Sequence, residues 1–180
     1  RGALKIEPGS AELWRLLGRE MIALGQISEA VSSLHKALSL APRHCGIAAL
    51  LTQTLQRAGR IDEARDLVAR LRAAAPEEAE YAVIDARLSF RSGDGERALT
   101  SLRAVLEKEP GHLNANLQFA VIVGDRDRPA VNVALERAVA AHPESSEALE
   151  QLIGSLGRSR YGSEAAHIER SYQLARQLME

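Results

Sequence analysis

The stretch PGSAELWRLLGREMIALGQISEAVSSLHKALSLAP, residues 8–42, decides the fold. Its apolar residues fall into two groups at helical spacing. Leu13, Trp14, Leu17, Met21 and Leu24 recur at helical spacing, which marks a helix, with Trp14, Leu17 and Met21 as its buried stripe. Gly25 follows, and glycine ends a helix by accepting a left-handed conformation at its C-terminus. The spacing predicts a second helix from Ile27 to Leu40, with Ala30, Leu34, Ala37 and Leu38 buried. Pro42 closes it, because proline lacks the amide hydrogen and clashes with the preceding turn. Gly18 and Ala30, one in each helix, are small enough for the two backbones to pack closely.

The stretch repeats. Pro8, Pro42, Pro76 and Pro110 are equally spaced, and Pro143 falls one place short of the next step. Gly25, Gly59 and Gly93 keep the same step, as do Ala30, Ala64 and Ala98, and Leu34, Val68 and Leu102. The small pair returns as Thr52 with Ala64 and as Ala86 with Ala98. Self-similarity at a fixed period is the mark of a repeat architecture. The chain therefore divides into repeats at 10–43, 44–77, 78–111 and 112–144, with 1–9 ending an earlier one and 145–180 forming a degenerate fifth or a cap. All belong to one array over 1–180. The fourth repeat keeps Phe119, Ala120, Leu135, Ala138 and Pro143 but is one residue short, a deletion placed between Asp125 and Pro129. In the fifth, Leu149, Leu152, Ile153, Leu156 and Ala165 fit, no closing proline follows, and a partly polar helix is predicted from Ser163 to Met179.

The residues Trp14, Leu17, Gly18, Met21, Ala30, Leu34, Ala37 and Pro42 carry a resemblance to the tetratricopeptide repeat family. The second repeat carries it with Leu51, Thr52, Leu55, Gly59, Ala64, Val68, Leu71 and Pro76, and the third with Ala86, Gly93, Ala98, Leu102, Val105 and Pro110. The resemblance implies an all-α, right-handed superhelical array of antiparallel helix pairs. It implies first helices lining a concave groove that holds an extended or helical peptide. The chain is thus expected to be a protein–protein interaction scaffold and not an enzyme. The alternative is the regulatory or targeting arm of a larger bacterial enzyme whose catalytic domain lies outside this sequence. Three residues depart from the pattern: Asp85 stands where Leu17 and Leu51 do, Asn116 where Trp14 does, and Ser89 where Met21 does. Either these sites are partly exposed or locally satisfied, or they form a functional polar pocket between the third and fourth repeats.

If first helices line the groove, its residues can be named. Arg15 and Arg19 are four apart and share a face. Arg57 stands late in the second repeat's first helix, and Arg87 and Arg91 form another such pair in the third. Gln53, Gln56 and Phe90 fall among them. These eight residues are the expected peptide-binding site, suited to a carboxylate-rich ligand because arginine is the better fork for carboxylates. Asp125, Glu147 and Glu150 at comparable places would turn the groove acidic further on. The competing reading is a solvated face on which Glu12 and Glu80 pair locally with the arginines. Some family members clamp a chaperone's C-terminal carboxylate with Lys and Asn in the first repeat, Asn in the second, and Lys and Arg in the third. Here Arg15 and Arg19 take the first two places, but Leu50, Glu80 and Ile84 stand at the others, so that clamp is not expected.

Other chemistries find little support. A formal net charge of −1 selects neither nucleic acid nor an acidic membrane, and 3% aromatic content offers little base-stacking surface. The single cysteine, Cys45, rules out an internal disulfide and a multi-cysteine zinc site. His44, His112 and His142 sit in turns near the closing prolines, where they are expected to cap helices or face solvent. Gly93-Asp94-Gly95 and Ser33–Lys36 mimic cofactor and acyl-enzyme motifs, yet both fall on residues with repeat roles. No catalytic residue, metal or cofactor is expected. No apolar run approaches a membrane span. With only three lysines, Lys5, Lys36 and Lys108, the arginine bias reads as high-GC bacterial coding. The chain is expected in the cytoplasm, with the periplasm as the alternative, and to be a piece of a longer protein. Self-association through its N-terminal end is a further expectation.

Overall fold

The computed structural model describes residues 9–158 and Gln173. The half repeat ending at Pro8 and the helix predicted from Ser163 to Met179 lie outside the described residues, Gln173 apart. Among the described residues every regular element is helical. First helices are α1 (Ala11–Ala23), α3 (Cys45–Arg57), α5 (Ala79–Arg91), α7 (Leu113–Val123) and α9 (Ser146–Arg158). They alternate with second helices α2 (Ile27–Leu40), α4 (Ile61–Ala74), α6 (Gly95–Lys108) and α8 (Arg128–Ala141). The chain forms two compact bodies divided after Leu88. In the first, α1 packs on α2, α2 on α3 and α3 on α4; in the second, α6 packs on α7, α7 on α8 and α8 on α9.

The joints follow the sequence signals. Gly25, Gly59 and Gly93 take φ of 76°, 75° and 90° between first and second helices, a region closed to most side chains by their Cβ. At the other joints, Ala41, Ala75, Glu109 and His142 each precede a proline, and all four leave the α region with ψ between 69° and 77°. That is the restriction a proline ring puts on the residue before it. The fourth repeat is short where the sequence placed its deletion: a 3-10 turn, Gly124–Arg126, leads into α8.

The first helices α1, α3, α7 and α9 start on side-chain caps. Ser10 Oγ accepts from Leu13 N–H at 3.2 Å, His44 Nδ1 from Ile47 N–H at 3.3 Å, His112 Nδ1 from Ala115 N–H at 3.3 Å, and Ser145 Oγ from Ala148 N–H at 3.3 Å. Each satisfies one of the amides a helix N-terminus leaves open. Two of the turn histidines are therefore caps. His112→Ala is expected to lower stability by about 1 kcal/mol and His112→Asn by much less, since asparagine also caps; thermal unfolding of the pair checks this.

In the first body the core runs through Leu34, Ile47, Leu51, Leu55, Val68, Tyr81 and Ile84, all at most 1% exposed. Each buried aliphatic side chain of this size contributes roughly 1.5–3 kcal/mol. Gly18 sits where α1 and α2 meet: a Cβ there would lie 2.7 Å from Leu34 Cγ. In the second body the core is built from Leu102, Leu117, Ile122, Leu135, Ala138, Leu149 and Leu152.

Two of the three departures, Asp85 and Asn116, have side-chain partners within the fold. Asp85 is buried and pairs with Arg72 Nη1 at 2.6 Å through Oδ2. Asn116 is buried and its Nδ2 donates to the carbonyls of Pro110 and His112 at 2.9 and 3.1 Å. Ser89 is buried. Ser33, of the motif-like Ser33–Lys36, is buried and donates to Met21 Sδ at 3.3 Å. Asp94, of the glycine-rich stretch, accepts from Arg97 N–H at 3.1 Å and caps α6.

Candidate functional site

In the first body, the exposed edges of α1 and α3 enclose a hollow of about 170 Å³. Its walls are Arg19 and Ile22 from α1, and Leu50, Gln53, Thr54 and Arg57 from α3. The helical period explains the set. Residues 50, 53, 54 and 57 share one face of α3 at i, i+3, i+4 and i+7, and 19 and 22 share one face of α1. Ile22 and Leu50 are the partly buried margin of the core and form an apolar floor. Thr54 is turned back on its own helix, donating to the Leu50 carbonyl at 2.7 Å. Arg19 and Arg57 are exposed, and among the described residues neither has an ion-pair partner. Two guanidiniums over an apolar floor make a place for an anion with a hydrocarbon stem.

Of the eight residues expected at the site, the structure brings Arg19, Gln53 and Arg57 together. Arg15 is committed elsewhere. It shares a two-point ion pair with Glu12, one arm of which measures 2.7 Å from Nε to Oε2. The Arg15 guanidinium holds the Glu12 carboxyl below its ordinary range, and Glu12 raises Arg15 in turn. Gln56 is half-buried and does not line the hollow. Arg87 is half-buried on α5, in the first body. Phe90 and Arg91 are exposed on the last turn of α5, which belongs to the second body. Ile22 and Leu50 were missed. Their signal was present in the sequence, since Leu50 lies three residues before Gln53 and Ile22 three after Arg19.

The register carries a change of charge. Arg57, Arg91 and Asp125 occupy one position in successive repeats, and Arg19, Gln53, Arg87 and Val121 occupy another. In the second body Asp125 and Val121 line the corresponding hollow between α7 and α9, about 490 Å³ in volume, with Glu150, Gln151 and Arg128. Of the acids expected at comparable places, Asp125 and Glu150 line this hollow, and Asp125 pairs with Arg128 at 2.7 Å. Glu147 is not part of that hollow.

Among the described residues no cluster of histidine, cysteine and carboxylates could hold a metal ion, and no helix is long and apolar enough to cross a membrane.

A tetratricopeptide repeat family model matches residues 21–88. Solved structures share the fold. Yeast Tom70 superposes with a TM-score of 0.68 at 17% identity, over 98% of this chain and 42% of that one. A MamA structure, residues 41 to the end, from Desulfovibrio magneticus RS-1 gives 0.56 at 19% identity, over 92% of this chain and 95% of that one. A monomeric mutant of IFIT1 with Gppp-AAAA gives 0.68 at 17% identity, over 98% and 44%. At these identities the likeness is one of fold alone. Among curated proteins no sequence matches this one.

Proposed function

We propose, from the premise that this chain is a tetratricopeptide-repeat protein and so a protein-interaction scaffold, that the first-helix face of its first body holds a carboxylate-rich peptide segment. The observation that carries the reading is the hollow of Arg19, Gln53 and Arg57. Both guanidiniums are exposed and without an ion-pair partner among the described residues, so a ligand carboxylate displaces no internal salt bridge. Gln53 between them adds an amide that both donates and accepts. Ile22 and Leu50 offer apolar contact to the ligand's methylenes. Arg15 is the weaker contributor, because Glu12 already neutralises it.

Affinity capture from the native lysate tests this. Arg19→Glu with Arg57→Glu is expected to lower the affinity of the captured partner by at least about tenfold, or roughly 1.4 kcal/mol. Arg15→Glu should have a smaller effect. Binding should also weaken with added salt, as exposed charge pairs do. Equal recovery of the same partners by the Arg19/Arg57 double variant would sink the reading.

A further inference from the structure

The repeat period exposes a substitution pattern at the contact between each second helix and the following first helix. The pair at this place is Leu38 with Leu51 in the first instance, then Arg72 with Asp85, then Leu106 with Phe119, each pair one repeat beyond the last. Leu38 and Leu51 are buried at 8% and 0% exposure. Leu106 and Phe119 are only half-buried. They open into a hollow of about 540 Å³ on the second body, closed on its far side by Pro129, Ala130, Val133 and Ala134 of α8. Val133 is 47% exposed. A position that is apolar core at its first instance is thus an open apolar recess here, and such recesses mark interaction sites. It is separate from the first-helix face. On α7 the recess uses Asn116 and Phe119, whereas the α7–α9 hollow uses Ala120, Val121, Gly124 and Asp125.

The rim indicates the occupant. Arg103 of α6 and Arg137 of α8 both border the recess. Both are exposed, and among the described residues neither has an ion-pair partner. Of the two acids on the rim, Asp127 is committed to capping α8, accepting from Ala130 N–H at 3.0 Å. Glu107 is the other. One unpartnered guanidinium on each second helix, with an apolar floor that includes the Phe119 ring, suits an aromatic side chain flanked by carboxylates. The ring would pack edge-on against Phe119 while the carboxylates meet the guanidiniums.

We infer that this recess is a second docking site, on the second helices α6 and α8, for a protein segment that presents an aromatic side chain between acidic residues. The probe is a fluorescein-labelled peptide with a central tryptophan and two aspartates on each side. Its anisotropy is followed as the full chain is added. Saturable binding is expected. Arg103→Glu with Arg137→Glu should weaken it at least about tenfold, and Arg103→Gln with Arg137→Gln should do so with less disturbance of the surface. Alanine in place of the peptide's tryptophan should weaken it to a similar degree. Arg19→Glu with Arg57→Glu should leave it unchanged, which separates this site from the first-helix face. No saturation up to millimolar chain, equal binding of the alanine peptide, or dependence on Arg19 and Arg57 alone would each overturn the inference. So would a concentration-dependent mass in light scattering that Arg103→Glu with Arg137→Glu abolishes, because a second copy of the chain would then be the occupant.

Discussion

Tyr81→Ala is expected to destabilise the first body by about 3–5 kcal/mol, the range for truncating a buried aromatic residue. The Tyr81 side chain is among the largest that are fully buried, at 1% exposure, and joins the core of Ile47, Leu51, Ile84 and Leu88. Its removal leaves a cavity among residues contributed by α3 and α5. Tyr81→Phe is expected to behave in the opposite sense. The Tyr81 hydroxyl is buried with no hydrogen-bond partner among the described residues, so its loss relieves a desolvation cost. The phenylalanine variant should unfold within about 1 kcal/mol of the parent, on the stabilised side. Urea unfolding of the two variants checks both.

The same hydroxyl gives a pH signature. Burial, with the Cys45 thiol beside it, pushes the Tyr81 phenol up to about 12 from an ordinary 10. The fold therefore favours the protonated phenol. Its share of stability is complete below pH 10 and is lost as pH rises from 10 through 12. In an absorbance titration at alkaline pH, Tyr81 should ionise above the ordinary tyrosine value of 10. Tyr81→Phe should remove this part of the alkaline loss of stability.

The second large effect is expected at Arg72. Its partner Asp85 has a side chain only 10% exposed, whereas that of Arg72 is 44% exposed. Arg72→Leu takes the Arg72 guanidinium away from a buried carboxylate. Removing one partner of a fully buried pair costs roughly 3–5 kcal/mol; the exposure of Arg72 reduces the expectation to about 2 kcal/mol. Asp85→Leu together with Arg72→Leu recreates the Leu38–Leu51 pair of the preceding repeat. That double variant should match or exceed the parent in stability, as apolar replacement of a buried ion pair often does. A double-mutant cycle by thermal unfolding yields the coupling directly. Additive single effects would show that the pair is not coupled.

The fold was legible because its joints are chemically marked. The second helix predicted from Ile27 to Leu40 is observed with those ends, since Gly25 and Pro42 fix both. First-helix starts were harder to read. His44 and His112 occupy cap positions usually held by serine, threonine, aspartate or asparagine, and only the period ties them to Ser10 and Ser145. At the candidate site, helical spacing placed Arg19, Gln53 and Arg57 on common ground. The competing reading of local pairing with Glu12 holds for Arg15; spacing alone did not choose between the two, because an i, i+3 neighbour and an i, i+4 neighbour look equally available in sequence. Asp85 was ambiguous for a related reason. Its cation lies on another helix, at the far side of a turn, and only comparison with Leu38 and Leu51 one repeat earlier identifies the pair.

That alternation also bears on how the chain finds its order while folding. Helices in a repeat array resemble one another, so a second helix could stack on the wrong first helix. If α2 skipped a repeat and met α5, Leu38 would face Asp85, burying a carboxylate against a hydrocarbon chain. If α4 took the place of α2 against α3, Arg72 would face Leu51 with no acid to receive it. The ion pair thus works as a key cut differently from the locks on either side. It gives the array a sense of sequence that its near-identical helices alone would lack.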